Sequence, residues 1–372
     1  MRILHFSDTH LGYGLGSRLS PHGVNQREED LTAAFRWAVE RALETKPDLV
    51  IHSGDLFDDV RPGNRVIKVA LDAIRRLSEA GQETVLISGN HDTPRLRETG
   101  SIFALFDGMK HIYPVYKGAC ETVEVGGAMV HCVPHSNNIA GEALRIEPVQ
   151  GHLNIAVFHA GVESLLEFRN HEMGETIVPD SALRYDLDYV ALGHYHRHMK
   201  VKENAWYAGS TERLSFSEAD WPKGATEVEV HSGGLKVRHV QGPSRPMFNL
   251  RVDCRGLDAK GVQDACAEKV GKRIDEKELD GALIRLVLDS VASSALRALD
   301  QRAVKSLAPD ALLFKIDARQ AEDSGAGVRG AEPFGDLASE WTRFLAERGA
   351  GRKGDRLREL GARFLEPKEV AE

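Results

Sequence analysis

The sequence contains little cysteine, and this scarcity excludes several kinds of site. Its 372 residues include four cysteines, Cys120, Cys132, Cys254 and Cys266. They are scattered along the chain, and none has the spacing of a zinc knuckle, a redox pair or a disulfide framework. We therefore expect reduced thiols, as in a cytosolic protein.

Long apolar runs and an excess of basic residues are also missing. No apolar stretch approaches the roughly 20 residues that a transmembrane helix needs, and no signal peptide precedes the first predicted strand, so we expect a cytoplasmic protein. With 48 Lys and Arg against 56 Asp and Glu, the formal net charge is −8. This balance excludes a broadly basic surface that coats DNA, although a local basic patch or a partner could still hold nucleic acid.

What the sequence does contain is an ordered series of metal-ligand residues. The fragments are Ser-Asp-Thr-His-Leu-Gly, Ser-Gly-Asp-Leu-Phe, Ser-Gly-Asn-His-Asp, Val-Phe-His-Ala and Leu-Gly-His-Tyr-His. Their carboxylate, amide and imidazole groups suit borderline divalent ions such as manganese, iron or zinc. The predicted ligands are Asp8, His10, Asp55, Asn90, His159, His194 and His196.

Each fragment follows a short apolar run that predicts a buried strand, at 3–6, 49–51, 84–87, 155–158 and 189–192. Ligands at the carboxyl ends of several strands meet in one crevice of an α/β sheet. Gly54, Gly89 and Gly193 each precede a ligand, where a small residue lets the backbone turn sharply. One fragment alone would more often be an ordinary surface or core segment. Five in this order predict a pair of metal ions, which Asp55 could bridge, and a chemistry of hydrolysis at phosphorus.

In this series of motifs the chain resembles calcineurin-like metallophosphoesterases, over about residues 1–240. Within that superfamily it is most similar to the SbcD-type nucleases of DNA double-strand-break repair. The similarity lies in the opening Met-Arg-Ile-Leu-His-Phe-Ser-Asp-Thr-His-Leu-Gly, in Phe-Arg-Trp-Ala at 35–38 and in Tyr-Ala-Gly-Ser-Thr-Glu-Arg at 207–213. Asp58 and Asp92 stand where protein phosphatases of the superfamily usually have Arg and Glu, which disfavours that branch. Some repair nucleases of the group carry a His where Asp58 stands.

The resemblance implies an α/β fold of layered sheets flanked by helices, and it assigns a role to each site residue. Two manganese ions would be held, one by Asp8, His10, Asp55 and His196, the other by Asp55, Asn90, His159 and His194. His91 would stay outside the metal shell and protonate the leaving oxygen, a task that suits imidazole. Asp92 would orient His91, or it would instead cap the segment that begins at Thr93.

The same resemblance implies a DNA exonuclease and endonuclease, the nuclease subunit of an SbcCD-like complex. We expect four parts: a nuclease domain at 1–240, a small α+β cap domain at 241–320, a flexible linker at 321–335 and a helical tail at 336–372. Amphipathic helices are predicted around 31–42 and 66–77. In the cap, helices are predicted at 259–270 and at 295–305. In the resembled group the cap helps to orient DNA.

A loop at 12–26, rich in Gly, Ser, Arg and His, lies beside the first ligand pair in the sequence. It could contact DNA through Arg18, His22 and Arg27, or it could be a solvated connection.

The tail carries an apolar stripe of Trp341, Phe344, Leu357 and Phe364. A short helical pair cannot bury such a stripe alone. The tail could fold back on the body, but the resemblance favours docking on the coiled coil of an SMC-like ATPase of the SbcC type. A homodimer is expected as well.

Two other functions would use the same residues. A stand-alone phosphoesterase acting on nucleotides or other small phosphoesters would share every ligand, but it would need neither cap nor tail. A metal-binding scaffold without catalysis would need no proton donor. The complete ligand set together with His91 disfavours the scaffold.

Overall fold

The structure is a computed structural model that describes residues 1–168, 175–231, 234–274 and 279–320, and in addition Trp341, Leu345, Arg356, Leu357, Leu360 and Gly361. The chain divides into two compact units, Met1–Arg319 and Gln320–Glu372. No helix within these described stretches is long and apolar enough to span a membrane. The four-part division made from the sequence stays a prediction.

The first 241 residues contain two layered sheets and a small two-stranded sheet, which is formed by Gly161–Val162 and Ile177–Val178. Their helices are α1 (Gln26–Thr45), α2 (Asn64–Glu79) and α3 (Ile139–Leu144). Their strands are β1 (Arg2–Phe6), β2 (Leu49–His52), β3 (Thr84–Ile87), β4 (Ile112–Val115), β5 (Glu121–Val125), β6 (Ala128–Val133), β7 (Leu153–His159), β8 (Gly161–Val162), β9 (Ile177–Val178), β10 (Tyr189–Gly193), β11 (Met199–Lys202), β12 (Ala205–Tyr207), β13 (Gly224–His231) and β14 (Gly234–Gln241).

The first sheet has the order β14-β13-β1-β2-β3-β4. Strands β1 to β4 are parallel, whereas β13 is antiparallel to both of its neighbours. Helices α1 and α2 connect the parallel strands, and their predicted apolar faces at 31–42 and 66–77 are buried as expected. Because side chains alternate along a strand, Leu4 and Phe6 pack on these helices while Ile3 faces the opposite way.

The second sheet has the order β11-β12-β10-β7-β6-β5, with β6, β7, β10 and β12 parallel. One of its faces packs against the first sheet, where Ile155, Val157 and Ala191 join Ile3 and Ile51 in one apolar core. The other face packs on α3 and neighbouring loops. The expected α/β fold of layered sheets flanked by helices is confirmed.

A separate small sheet follows, with strands β15 (Met247–Asp253), β16 (Leu283–Val291) and β17 (Leu313–Gln320) in that order. It carries α4 (Ala259–Ile274), α5 (Ser293–Ala298) and α6 (Gln301–Lys305) and has its own apolar core. The single helix predicted at 295–305 is wrong. Leu299 is extended, and the Asp300 carboxylate accepts the N–H groups of Arg302 and Ala303, which starts α6 afresh.

The second unit is described at few positions. Trp341 Nε1–H donates to the carbonyl oxygen of Leu357 at 3.0 Å, and Leu345 is buried. Leu357 and Leu360 are exposed. Phe344 and Phe364, two members of the predicted apolar stripe, lie outside the described residues. The docking of this stripe therefore stays a prediction.

Candidate metal centre

The predicted ligands lie at the carboxyl ends of five parallel strands. Strand β1 leads to Asp8 and His10, β2 to Asp55, and β3 to Asn90. Strand β7 ends at His159, and β10 leads to His194 and His196. The backbone N–H of Asp8 donates to the carbonyl oxygen of Gly54 at 3.0 Å. The backbone N–H of His194 donates to both carboxylate oxygens of Asp8, at 3.1 and 3.2 Å. The structure thus brings all seven predicted ligands into one crevice.

Four of these residues have a backbone conformation that side chains disfavour. The φ angles are 51° at Asp8, 42° at His10, 53° at Asp55 and 105° at His194. Residues other than glycine rarely have positive φ, and such strain gathers at functional sites, where the surrounding structure holds it. Here the unfavourable backbone conformation of these residues is kept because it directs their side chains into the crevice.

The first group of ligands places two imidazole nitrogens against each other. The Nδ1 atoms of His10 and His196 each lie 3.1 Å from a carboxylate oxygen, of Asp58 and Glu218 respectively. Because an ionised carboxylate only accepts, both Nδ1 atoms donate, so each ring, when neutral, turns the lone pair of Nε2 inward. These two Nε2 atoms are 3.2 Å apart. A shared cation would resolve this opposition, and a ligand oxygen of Asp8 lies within 4.8 Å of both rings' ligand nitrogens.

The second group shows the same opposition of acceptors. His159 Nδ1 lies 2.8 Å from the carbonyl oxygen of Ser53, to which it donates. Its Nε2 therefore faces Asn90 Oδ1 at 3.0 Å and Asp55 Oδ2 at 3.1 Å, and in the neutral ring this nitrogen turns a lone pair towards them. His194 points Nδ1 at the same Asn90 oxygen at 3.1 Å. A second cation fits here, because every inward atom of this group can act as a metal ligand.

Asp55 lies between the two groups. Its Oδ2 is 3.1 Å from His159 Nε2 and 3.7 Å from His10 Nε2. Burial alone would raise the pKa of the Asp55 carboxyl, but His159 holds that pKa well below its usual value. Burial alone would lower the pKa of His159, but Asp55 raises it to about 9. In the absence of a metal ion a proton thus takes the place of positive charge in this crevice.

The glycines before the ligands serve two different needs. Gly54 has a φ of 105°, so it makes the sharp turn expected from the sequence. Gly89 and Gly193 do not have positive φ; they are required for space. A Cβ on Gly89 would lie 2.1 Å from Asp55 Oδ1, and one on Gly193 would lie 2.1 Å from the carbonyl oxygen of Ser53.

His91 lies at the rim of the crevice, with its side chain 31% exposed. Its backbone N–H donates to Asp55 Oδ1 at 2.9 Å, and its Nδ1 lies 3.1 Å from the carbonyl oxygen of Asp58. Its ring meets that of His10 edge to face at 4.7 Å. A ligand nitrogen of His91 also comes within 4.8 Å of those of His10 and Asp55, so the geometry allows His91 to act either as a proton donor or as a ligand.

Asp92 does not have either of the roles considered from the sequence. Its Oδ2 accepts the N–H of Leu56 at 2.8 Å and its Oδ1 accepts the N–H of Gly89 at 2.7 Å. The buried carboxylate thus joins the loops that carry Asp55 and Asn90, instead of orienting the His91 imidazole or capping the segment at Thr93. Burial, with the negative charge of Asp55, raises the pKa of Asp92 to about 7.

No sequence pattern pointed to the residues that accept the outer N–H groups of these imidazoles. Asp58 and Glu218 accept from His10 and His196, and the carbonyl oxygen of Ser53 accepts from His159. Such acceptors fix the ring orientation of metal-ligating histidines. Glu218 is 22 residues from His196, so no local spacing links the two residues.

The proposed DNA contacts in the loop at 12–26 have different outcomes. Arg18 and His22 are exposed, although Arg18 Nη1 also donates to the carbonyl oxygen of Ala311 at 2.9 Å. The assignment of Arg27 is wrong, because its side chain is fully buried. Its guanidinium donates to Asp30 at 2.6 Å and to the carbonyl oxygen of Arg213. Arg27 is therefore occupied inside the protein.

Two cavities meet at His91 and Asp58. The first has a volume of about 630 Å³, and besides His91 and Asp58 it is lined by Arg61, Arg95 and Leu96. The second has a volume of about 330 Å³, and its further lining residues include His10, His196, Tyr13, Leu214 and Trp221. The candidate proton donor thus lines both cavities.

Comparison with known proteins gives consistent matches. The family model described as calcineurin-like phosphoesterase matches residues 1–198. A DNA double-strand break repair protein Mre11 of Haloferax volcanii is 30% identical over 368 residues, which are 97% of this chain and 74% of the relative. Its counterpart in Thermoplasma acidophilum is 31% identical over 267 residues, which are 67% of this chain and 68% of the relative.

One likeness among solved structures is distant. A dimetal phosphatase from Danio rerio matches 64% of this chain and 96% of its own, with a TM-score of 0.37 and 10% sequence identity.

Proposed function

The chain belongs to the calcineurin-like phosphoesterase family, and on that basis we propose that it is a dinuclear metal-dependent DNA phosphodiesterase. It acts as exonuclease and endonuclease in double-strand-break processing, as the nuclease subunit of an SbcCD-like complex. The observation that carries this proposal is the crevice itself. Its candidate ligand atoms converge in two groups that share Asp55, and each group could hold one cation.

Each cation has its own set of ligands in this proposal. The first is held by Asp8, His10, Asp55 and His196, and the second by Asp55, Asn90, His159 and His194. Manganese is the proposed metal, since the mixed carboxylate, amide and imidazole set suits a borderline ion. Two such ions, when bound, supply a water of lowered pKa and neutralise charge on the phosphoryl oxygens.

His91 supplies the proton for the leaving alkoxide. Its Nδ1–H donates to the Asp58 carbonyl oxygen at 3.1 Å, so the transferable proton is on Nε2. The backbone N–H of His91 is anchored on Asp55, which keeps the imidazole beside the cation site. This placement suits general acid catalysis, because the donor must reach a leaving oxygen next to the metal-bound phosphate.

DNA is the proposed substrate for two reasons. The Haloferax volcanii relative, a DNA double-strand break repair protein, aligns over 97% of this chain, so the similarity extends beyond the catalytic domain. The two cavities that His91 lines also leave room for a chain that continues past the scissile phosphate, and Arg61 and Arg95 line the larger of these two. Arginine in that position can pair with backbone phosphates.

The proposed partner is an SMC-like coiled-coil ATPase of the SbcC type, and the proposed assembly contains two copies of this chain. Trp341 and Leu357 contact each other within the second unit, which is consistent with a small folded tail element. We propose that this element docks on the ATPase.

A comparison of two substrates tests the proposed function. Linear double-stranded DNA and a nitrophenyl phosphodiester are incubated with manganese, magnesium or chelator, with and without the ATPase. We expect manganese-dependent cleavage of DNA that chelator abolishes. Turnover of the small ester without any cleavage of DNA would instead favour a stand-alone phosphoesterase. Manganese binding without turnover of either substrate would favour a scaffold.

A further inference from the structure

A buried ion pair lies directly behind His196. Glu218 is 3% exposed and Lys223 is fully buried. Lys223 Nζ donates to Glu218 Oε2 at 2.6 Å, to Ser210 Oγ at 2.6 Å and to the carbonyl oxygen of His196 at 2.8 Å. The ammonium thus has three acceptors, which is its full capacity. One of them belongs to the backbone of a proposed metal ligand.

The carboxylate of Glu218 is held as firmly as the ammonium. Its Oε1 accepts from His196 Nδ1 at 3.1 Å and from Ser215 Oγ at 3.2 Å, and its Oε2 accepts the N–H of Leu214 at 3.3 Å besides Lys223. Every contact comes from a defined direction, so the carboxylate has no freedom to turn away from the imidazole. Its position therefore fixes the ring of His196.

A buried ion pair of this kind is not needed for stability alone. Removing two charges from water is unfavourable, and a well-packed apolar pair of similar volume is often as stable. A buried carboxylate against the outer nitrogen of an imidazole does something that an apolar side chain cannot. It fixes the tautomer with the lone pair on Nε2 and makes that nitrogen a stronger donor to a cation.

We propose that Glu218 and Lys223 are positioning residues for the first metal ion. Glu218 holds His196 with Nε2 towards that ion, and Lys223 holds Glu218 in place. The inference rests on the proposed dinuclear site. It implies that the first metal position depends on Glu218, whereas the second does not. In the second position His159 is backed by the neutral carbonyl oxygen of Ser53, so that position does not depend on this pair.

The test is manganese binding by full-length Glu218→Gln, measured by equilibrium dialysis and metal analysis over a range of free manganese. Glutamine has nearly the same shape, but its NH2 group must face either the ammonium of Lys223 or the Nδ1–H of His196, and both are donors. We expect the first position to lose affinity by about 10–100-fold, the usual effect of losing such a partner. At intermediate free manganese the variant should then hold one ion where the intact protein holds two. Asp220→Asn, an exposed acid in the same loop, is the matched control and should hold two.

A merely structural role would give a different pattern. It would lower the melting temperature of the metal-free variant but leave the increase caused by saturating manganese unchanged. The double variant Glu218→Met with Lys223→Met removes both charges together, so no buried charge is left unpaired even if the single variant fails to fold. We expect the double variant to fold and still to hold one ion at intermediate free manganese.

Three results would overturn the inference. The first is that Glu218→Gln binds two manganese ions with the affinity of the intact protein. The second is that the double variant does so. An intact protein that binds fewer than two ions would overturn the proposed dinuclear site and the role of Glu218 with it. Since manganese binding is measured without DNA, the inference and the proposed substrate can fail separately.

Discussion

Replacement of His91 by serine separates a proton donor from a metal ligand. The side chain is 31% exposed, and its Nδ1 contact is to a backbone carbonyl at the rim of the crevice. Truncation there should cost little stability, about 1 kcal/mol for the lost hydrogen bond. Cleavage of DNA should fall by roughly 100- to 10,000-fold, or about 2.7–5.4 kcal/mol in the activation barrier. Manganese content and DNA affinity should stay close to those of the intact protein.

The leaving group provides the sharpest control. An alkoxide leaving from DNA needs a proton, whereas a nitrophenolate is stable enough to leave without one. We therefore expect His91→Ser to retain most of its turnover of a nitrophenyl phosphodiester while it loses cleavage of DNA. Both substrates can be followed in one preparation at saturating manganese, with metal content measured by elemental analysis.

Two results would refute this reasoning. Loss of one manganese ion from His91→Ser would show that His91 is a ligand, a role that its distance to Asp55 and His10 permits. An equal fall in turnover of both substrates, with metal content intact, would show that His91 acts on a step other than protonation of the leaving group.

Four further outcomes are expected. Asp55→Ala should leave both manganese positions empty or weak by metal analysis, because Asp55 Oδ2 lies 3.1 and 3.7 Å from the inward nitrogens of His159 and His10; loss of a single ion would contradict a bridging role. In the metal-free protein His159 has a pKa of about 9, so manganese must displace its proton, and apparent affinity should rise between pH 6.5 and about 9 by up to about tenfold per unit; calorimetry showing a pH-independent affinity would argue against this. Gly89→Ala should impair manganese binding because its Cβ would lie 2.1 Å from Asp55 Oδ1, whereas Gly63→Ala, which meets nothing within 4 Å, should not. Removal of residues 336–372 should abolish co-purification with the ATPase and spare manganese-dependent cleavage by the isolated subunit; intact partner binding with a melting temperature lowered by several degrees would show that the tail folds back instead.

The donor set and its place in the fold could be predicted from the sequence. A short apolar run followed by polar residues predicts the end of a buried strand, because both signals are local. Five such fragments predicted buried strands with ligands at their carboxyl ends, and the structure has that arrangement. The same locality explains why the buried faces of α1 and α2 were correct.

Charged residues in loops were harder to interpret, because their burial depends on distant partners. From the sequence, Arg27 was a candidate contact for DNA. In the structure its guanidinium donates hydrogen bonds to Asp30 and to the carbonyl oxygen of Arg213 inside the protein. Asp92 follows His91 in the chain, and this adjacency suggested that it orients the His91 imidazole. Its carboxylate instead accepts from the backbone of Leu56, 36 residues away. Adjacency in sequence does not determine the direction of a side chain at the end of a strand.

The sequence by itself thus determined which atoms can bind metal and at which strand ends they lie. Only the tertiary structure decided which nitrogen of each imidazole faces inward, because that choice is made by an acceptor from another part of the chain. Asp58 makes it for His10 across 48 residues, and Glu218 makes it for His196 across 22. A side chain's chemistry is fixed by its residue type, whereas its orientation is fixed by contacts that exist only after the sheets have packed.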